Sequence, residues 1–83
     1  MSDAKEQNRV IERLLGLAAE RFKRPREALN PSDDLFDALE IDSMQALSLL
    51  TALEDTFEVE IPDYEVQDVR TFQELAEVVA ARL

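Results

Sequence analysis

One hydroxyl group stands out in this sequence as a place where chemistry could be done. Ser43 follows Asp42 and precedes Met44 and a run rich in leucine. Asp42 is a favourable N-cap residue and Gln45 can complete a capping box with it, so we predict that a helix begins at Ser43. The hydroxyl would then lie in the first turn, where unpaired backbone N–H groups and the helix dipole favour a negatively charged substituent.

The composition argues against catalysis by the chain itself. The sequence has no histidine and no cysteine, so it lacks the usual general base, and neither a disulfide nor a thiolate metal site can form. A hydrolase nucleophile at Ser43 would have no base, because the adjacent Asp42 cannot replace histidine. Two simpler alternatives for Ser43 are an ordinary first-turn residue and a site modified by a kinase.

Closely spaced carboxylates before Ser43 suggest a calcium loop at first sight. They are Asp33, Asp34, Asp37, Glu40 and Asp42. Counted from Asp33 or Asp34, the third position of an EF-hand loop is Leu35 or Phe36, and no glycine follows where that loop must turn sharply. We therefore predict no metal site.

The element that positions Ser43 is an amphipathic helix running to Phe57. Apolar residues recur in it three or four positions apart, which predicts one stripe facing the core. The stripe consists of Met44, Leu47, Leu50, Leu53 and Phe57.

A long first helix is predicted to end before Pro25. Ser2 or Asp3 can cap it, with Asp3 and Glu6 spaced as a capping pair. Its apolar face comprises Val10, Ile11, Leu14, Leu15, Ala18 and Phe22.

Gly16 lies inside this helix and lowers its propensity by about 1 kcal/mol relative to alanine. Either close packing requires this glycine or it faces solvent without a role.

The remaining segments predict a long loop and two more helices. Residues 25–41 have no sustained period, and we expect an ordered loop with a short helical turn around Leu35 to Leu39. Its apolar anchors are Leu29, Leu35, Phe36, Leu39 and Ile41. Pro62 and Asp63 open a short third helix reaching Asp68. A capping box at Thr71 and Glu74 opens the last helix, whose apolar side is formed by Phe72, Leu75, Ala76, Val79 and Leu83.

Length and charge limit the class of protein. The 83 residues predict a single domain, residues 1–83, and the 46% of hydrophobic residues with regular periodicity argue against disorder. A net charge of -10 opposes binding to nucleic acid or an anionic membrane and favours partners with basic patches. With no apolar run long enough to span or enter a membrane, we expect a cytoplasmic monomer.

Two motifs together resemble the acyl carrier protein family. The first is Asp42-Ser43-Met44, and the second is the segment from Phe57 to Ile61-Pro62-Asp63. The family usually has Asp-Ser-Leu, so Met44 replaces leucine, and Glu40 stands where glycine is usual. Length, charge and order of elements also fit. The resemblance implies an all-α four-helix bundle with three longer helices, one short third helix and a long first loop.

The resemblance also implies a function and a set of partners. Ser43 would carry 4'-phosphopantetheine, attached from coenzyme A by a phosphopantetheinyl transferase, and would hold acyl groups as thioesters for fatty acid, specialised lipid or polyketide synthesis. Enzymes that load and transfer acyl groups would dock through basic patches. The expected docking residues are Asp37, Glu40, Gln45, Ser48, Glu54 and Asp55. Gln45 and Ser48 replace carboxylates common in the family, which favours a specialised carrier.

A cavity for the cargo is a further expectation, because each buried CH₂ contributes about 0.8 kcal/mol. We expect it to be lined by Met44, Leu47, Leu50, Ile61, Val66 and Leu75, although core packing explains these residues equally well. If the usual glycine has a positive φ, Glu40 must either tolerate strain or belong to a reshaped loop. The alternatives left open are an aminoacyl or peptidyl carrier and an acidic helical interaction module that carries no prosthetic group.

Overall fold

Four α-helices, three of them long, form the fold in a computed structural model that describes residues 2–83, with side-chain surroundings from residue 7 onward. They are α1 (Ser2–Arg21), α2 (Leu35–Leu39), α3 (Ser43–Phe57) and α4 (Phe72–Ala80). Short 3₁₀ helices lie at Arg26–Ala28 and Asp63–Glu65. No strand occurs among residues 2–83, although an isolated bridge pairs Asp34 with Thr71. The predicted all-α bundle is confirmed.

Local capping explains where the helices begin. Asp42 caps α3 in a capping box with Gln45, and Thr71 caps α4 in the same way with Glu74. Both boxes are as predicted, because the residues of a box lie within one turn of each other. The expected pair Asp3 and Glu6 at the start of α1 lies outside the described side chains.

The core lies where α1 packs against α4, with α2, α3 and the connections closing over it. Its α1 residues are Val10, Leu14, Leu15, Ala18 and Ala19, and its α4 residues are Phe72, Leu75, Ala76 and Val79. The connections and α2 contribute Leu29, Leu35, Leu39 and Ile61, and α3 contributes Leu49, Leu50 and Leu53. The apolar faces predicted for α1 and α4 therefore point inward, with the exception of Leu83.

The predicted core stripe of α3 is partly wrong. Met44 and Leu47 are 78% and 47% exposed, whereas Leu49, Leu50 and Leu53 are buried. The buried face therefore starts more than a turn into the helix, since no described element covers the first turn. Leu83 is also 53% exposed, because α4 ends at Ala80 and the helical period no longer fixes its direction.

The connections are largely as predicted. The expected helical turn at Leu35–Leu39 is α2, whereas the 3₁₀ helix at Arg26–Ala28 was not predicted. The short third helix is a 3₁₀ helix that continues as turns to Asp68. Backbone hydrogen bonds tie the first loop to the start of α4, from Leu35 N to Arg70 O at 2.8 Å and from Gln73 N to Pro31 O at 2.9 Å.

Gly16 is not required for packing. It is partly exposed, and a Cβ atom placed on it would meet nothing within 4 Å. The close-packing interpretation is therefore wrong, and the solvent-facing alternative is correct.

Within the described residues, no helix combines the length and the apolar character needed to cross a membrane.

Candidate cofactor-attachment site

Ser43 is an exposed residue at the N-terminus of α3. Beside it, Gln45 N donates to Asp42 Oδ1 at 2.9 Å, and Asp42 N donates to Gln45 Oε1 at 3.1 Å. Among the described residues, no acceptor pairs with the amides of Ser43 and Met44. The serine hydroxyl thus lies next to free N–H groups at the positive end of a 15-residue helix, a setting that suits an anionic substituent.

The corner that leads into α3 is held in an uncommon backbone conformation. Glu40 has φ 55° and ψ 50°, the left-handed region in which glycine is usual. For a residue with a side chain this conformation costs about 1–2 kcal/mol. Arg24 stabilises the corner from α1's side, since its NH2 lies 2.8 Å from Glu40 Oε2 and donates to Leu39 O at 3.3 Å. Glu40 therefore adopts a left-handed backbone conformation that favours glycine, and the fold tolerates the strain at this position.

An open pocket of about 380 Å³ lies beside Ser43. Its wall is formed by α2, α3, α4 and the segment between α3 and α4. The lining residues are Leu35, Phe36, Ser43, Ala46, Leu47, Leu49, Leu50, Asp63, Val66, Gln67, Val69, Arg70 and Leu75. Most of these side chains are apolar, with a few polar groups among them, which is the usual make-up of a pocket for a small organic group.

Four of the six residues expected in a cargo cavity line this pocket: Leu47, Leu50, Val66 and Leu75. Met44 and Ile61 do not. Met44 points to solvent in the first turn of α3, and Ile61 is buried in the core. The contributions of Phe36, Val69 and Arg70 were missed, because they come from α2 and from the connection before α4, whose packing no local pattern in the sequence reveals.

A charged cluster closes one side of the pocket. Arg70 donates through Nε and NH2 to Asp34 Oδ2 at 3.1 and 2.9 Å, and its Cζ lies 5.0 Å from the centre of the Phe36 ring. Desolvation tends to raise the pKa of Asp34, but the hydrogen bonds from Arg70 and the amides of Asp37 and Phe36 together lower that pKa below 3.8. Asp34 is therefore ionised and fixes the Arg70 guanidinium beside the pocket.

Three of the six expected docking residues, Asp37, Glu40 and Gln45, lie within six positions of Ser43 in the sequence. Asp37 is exposed on α2. Glu40 is exposed as well but is engaged by Arg24, while the side-chain oxygen of Gln45 is used in the capping box. Of these three, Asp37 is the carboxylate that a partner can approach most readily.

The other three expected docking residues lie further along α3. Ser48 accepts a hydrogen bond from Arg21 NH2 at 2.5 Å. Glu54 is only partly exposed, and its Oε2 accepts from Ile61 N at 2.8 Å. Asp55 is exposed. Glu54 therefore holds the connection after α3 in place, and Asp55 is the more accessible carboxylate at this end.

Comparison with known proteins decides the class of the site. Residues 12–79 match the family described as the phosphopantetheine attachment site. The chain belongs to this phosphopantetheine attachment family. It is 29% identical over 68 residues to the acyl carrier protein of Syntrophobacter fumaroxidans, which covers 82% of this chain and 84% of that protein. It is also 29% identical over 73 residues to the acyl carrier protein of Thermosynechococcus vestitus, which covers 88% and 90% of the two chains.

The prosthetic group of the family is 4'-phosphopantetheine, and the site's geometry fits it. The group is joined through a phosphodiester, which the exposed hydroxyl and open helix N-terminus of Ser43 suit. The adjacent pocket has an apolar lining for an acyl group. Members of this family are carriers, and the resemblance inferred from the two sequence motifs is confirmed.

Proposed function

We propose that this chain is an acyl carrier whose 4'-phosphopantetheine arm is attached to Ser43. The observation that carries the proposal is that Ser43 is exposed in the first turn of α3 and at the same time lines the apolar pocket. Once attached, the arm supplies a thiol that holds an acyl group as a thioester. The chain itself contributes the hydroxyl, the pocket and a docking surface, and catalyses no bond formation.

The first turn of α3 has two roles in this proposal. The capping box fixes the backbone of Asp42 and Gln45, so the hydroxyl of Ser43 is presented at a defined end of a rigid helix. The amides of Ser43 and Met44 face the place where the phosphate would lie, a contribution of about 0.3–1 kcal/mol at an exposed site. Asp42 repels the phosphate, which favours an arm that extends into solvent.

The pocket can shield the acyl group from water while the carrier is not bound to an enzyme. A chain of methylenes gains about 0.8 kcal/mol for each CH₂ that leaves water. Leu47 and Ala46 lie one turn beyond Ser43 on α3 and line the pocket, with Leu50 a turn further on. An acyl group can therefore pass from the attachment point along α3 into an apolar environment.

The partners would be a phosphopantetheinyl transferase and the enzymes that load and remove acyl groups in fatty acid, specialised lipid or polyketide synthesis. Asp37 on α2 and Asp55 near the end of α3 are both exposed carboxylates. Basic groups on an enzyme can contact them and bring Ser43 to the active site. Glu40 can add to this surface, although part of its charge is offset by Arg24.

Attachment is tested by incubating the protein with coenzyme A and a phosphopantetheinyl transferase of broad specificity, followed by intact-mass measurement. Wild type should gain one phosphopantetheine and Ser43→Ala none. Thr51→Ala is the matched control, since Thr51 is an exposed hydroxyl residue on the same helix whose Oγ1 donates to Leu47 O, and it should be modified like wild type. An unmodified wild type would favour the interaction-module alternative, and an adduct on Ser43→Ala would move the attachment point elsewhere.

Docking is tested with Asp37→Lys, which should slow modification, with an effect that shrinks as salt is added. Glu77→Lys is the control, since Glu77 is exposed on α4 beside α1 residues Gln7 and Asn8. Equal rates for the two variants would exclude a specific role for Asp37.

A further inference from the structure

The charge of this acidic chain is distributed very unevenly. Residues 1–28 contain seven of the nine basic side chains and five of the nineteen acidic ones, a net charge of +2. Residues 29–83 carry a net charge of -12. The basic side chains are therefore concentrated in α1 and the loop that follows it.

The end of α1 brings two of these cations against the elements on both sides of Ser43. Arg21 NH2 donates to Ser48 Oγ on α3, beyond the serine. Arg24 pairs with Glu40 and donates to Leu39 O, before the serine. Lys23 is exposed and lies between them in the chain, with φ 56°. We call Arg21, Lys23 and Arg24 the α1-end cations.

The positive charge beside α3 is not neutralised by α3 itself. Residues 43–53 contain no ionisable side chain, and Arg21 bonds to a neutral hydroxyl. Arg24, in contrast, is offset by Glu40. The dipole of α1 favours a cation in its last turn, which accounts for Arg21. Lys23 follows two residues later, and among residues 7–83 no ion pair or side-chain hydrogen bond engages it. The first half of α3 thus carries no side-chain charge, and Arg21 lies at its edge with Lys23 two residues further along the chain.

We propose that Arg21 and Lys23 form a docking surface for partner enzymes that place carboxylates opposite this edge of α3. The inference rests on the proposed function and specifies the partner. The enzyme would be basic where it faces Asp37 and acidic where it faces Arg21 and Lys23. Such a mixed pattern fixes the orientation in which Ser43 is presented, and like-charge contacts slow the docking of an enzyme whose docking face is uniformly basic.

The test compares two double charge reversals of equal net charge. In Arg21→Glu/Lys23→Glu the cationic edge becomes acidic, whereas Arg9→Glu/Arg13→Glu changes exposed residues on the earlier part of α1. The probe is a phosphopantetheinyl transferase with a uniformly basic docking face, and kcat/KM for the carrier is measured at low and high salt. The first variant should be modified about 3–10-fold faster than wild type at low salt, with the gap closing as salt rises, because a repulsive contact has become attractive.

The second part of the experiment reverses a charge on the transferase. When a docking-face lysine or arginine of the transferase is changed to glutamate, the preference should invert, so that wild-type carrier becomes the better substrate. Equal rate changes in the two carrier variants would mean that net charge alone matters and would overturn the proposal. A slower or unchanged Arg21→Glu/Lys23→Glu carrier would do the same. A changed KM for coenzyme A alone would assign the cations to its phosphates instead.

Two controls separate these results from loss of structure and from failure of the proposed function. Thr51→Ala removes a hydroxyl from an exposed residue of α3 and leaves the cations and the expected docking residues unchanged, so its rate should match that of wild type. Lys23→Glu alone changes one exposed side chain outside the helix and should give part of the acceleration if the double variant folds poorly. If wild type accepts no phosphopantetheine, the attachment at Ser43 is contradicted. If wild type is modified, the docking inference is judged from the rate of each variant divided by the rate of wild type.

Discussion

Arg70 and Asp34 join the start of α2 to the start of α4 across 36 positions of sequence. Both Nε and NH2 of Arg70 contact one carboxylate oxygen, and the other oxygen of Asp34 accepts from the amides of Phe36 and Asp37. The same carboxylate thus caps α2 and holds the guanidinium over the Phe36 ring. This contact orders the side of the pocket that lies opposite α3.

The first prediction concerns this ion pair. Arg70→Met should lower the thermal midpoint by a few degrees, because the ion pair and the cation–π contact are both lost. Asp34→Asn keeps an acceptor for the α2 amides and removes the charge. In a double-mutant cycle the two changes should be less than additive. Strict additivity would show that the pair does not contribute, and Arg9→Met is the control for loss of one exposed cation.

The second prediction concerns stability in acid. Hydrogen bonds from the amides of Arg70 and Thr71 lower the pKa of Glu74 below its ordinary value of 4.5, and the pKa of Asp34 lies below 3.8. A carboxyl whose folded pKa is lowered stabilises the fold above its ordinary pKa and loses that contribution as pH falls through the folded value. These two groups should therefore destabilise the fold progressively below about pH 4.5.

Glu74→Gln isolates this effect, because glutamine can also complete a capping box and does not titrate. Protonation of the other carboxylates relieves repulsion in a chain of net charge -10, so the difference between wild type and variant is the diagnostic quantity. Urea midpoints measured at neutral pH and in acid should converge for the two proteins as pH falls. A constant difference would mean that the lowered pKa of Glu74 does not affect folding.

The start sites of the helices could be predicted from sequence because each depends on neighbouring residues. Asp42 with Gln45 and Thr71 with Glu74 set the starts of α3 and α4 regardless of the rest of the fold. Periodicity also identified the buried faces of α1 and α4. It could not show that Met44 and Leu47 are exposed, since a periodic pattern marks an apolar face without saying what covers each turn.

The candidate site, like the fold, could be predicted only where it depends on neighbouring residues. Ser43 was predicted from the motif that contains it, and Leu47, Leu50, Val66 and Leu75 were the predicted residues among those that line the pocket. The opposite wall depends on Arg70 meeting Asp34 and Phe36, a contact between distant segments that arises only when the loops fold. The contact of Arg21 with Ser48 belongs to the same class, and no local pattern indicates it.

The third prediction compares two left-handed glutamates. Glu40 and Glu58 have nearly the same backbone angles and cap the ends of α2 and α3. Glycine relieves a cost of about 1–2 kcal/mol at such positions but gives back about 0.5–1 kcal/mol in entropy. Glu58→Gly should stabilise the protein, whereas Glu40→Gly should be nearly neutral because it also breaks the ion pair with Arg24. Urea unfolding checks this order, and a more stable Glu40→Gly would contradict it.

The fourth prediction concerns Gly16. Gly16→Ala should raise the free energy of unfolding by about 0.5–1 kcal/mol, because alanine has the higher helix propensity and the new methyl group meets no neighbour within 4 Å. Equilibrium urea unfolding measures this directly. Ala18→Gly is the opposing control, since it removes a buried methyl group from the same helix and should destabilise. A loss of stability in Gly16→Ala would indicate that the backbone at this position needs glycine.

The last prediction concerns the pocket and rests on acyl carriage by Ser43. Ala46 lines the pocket one turn beyond Ser43, so a phenylalanine at this position should fill the space that an acyl chain would occupy. In wild type loaded with acyl groups of increasing length, cleavage of the thioester by hydroxylamine should slow with each buried CH₂, by up to about fourfold per methylene. Ala46→Phe should remove this dependence on length, while Thr51→Phe, at an exposed position on α3, should keep it. Circular dichroism establishes that both variants fold.

Wild-type rates that do not change with chain length would show that the cargo stays in solvent and the pocket is not its binding site.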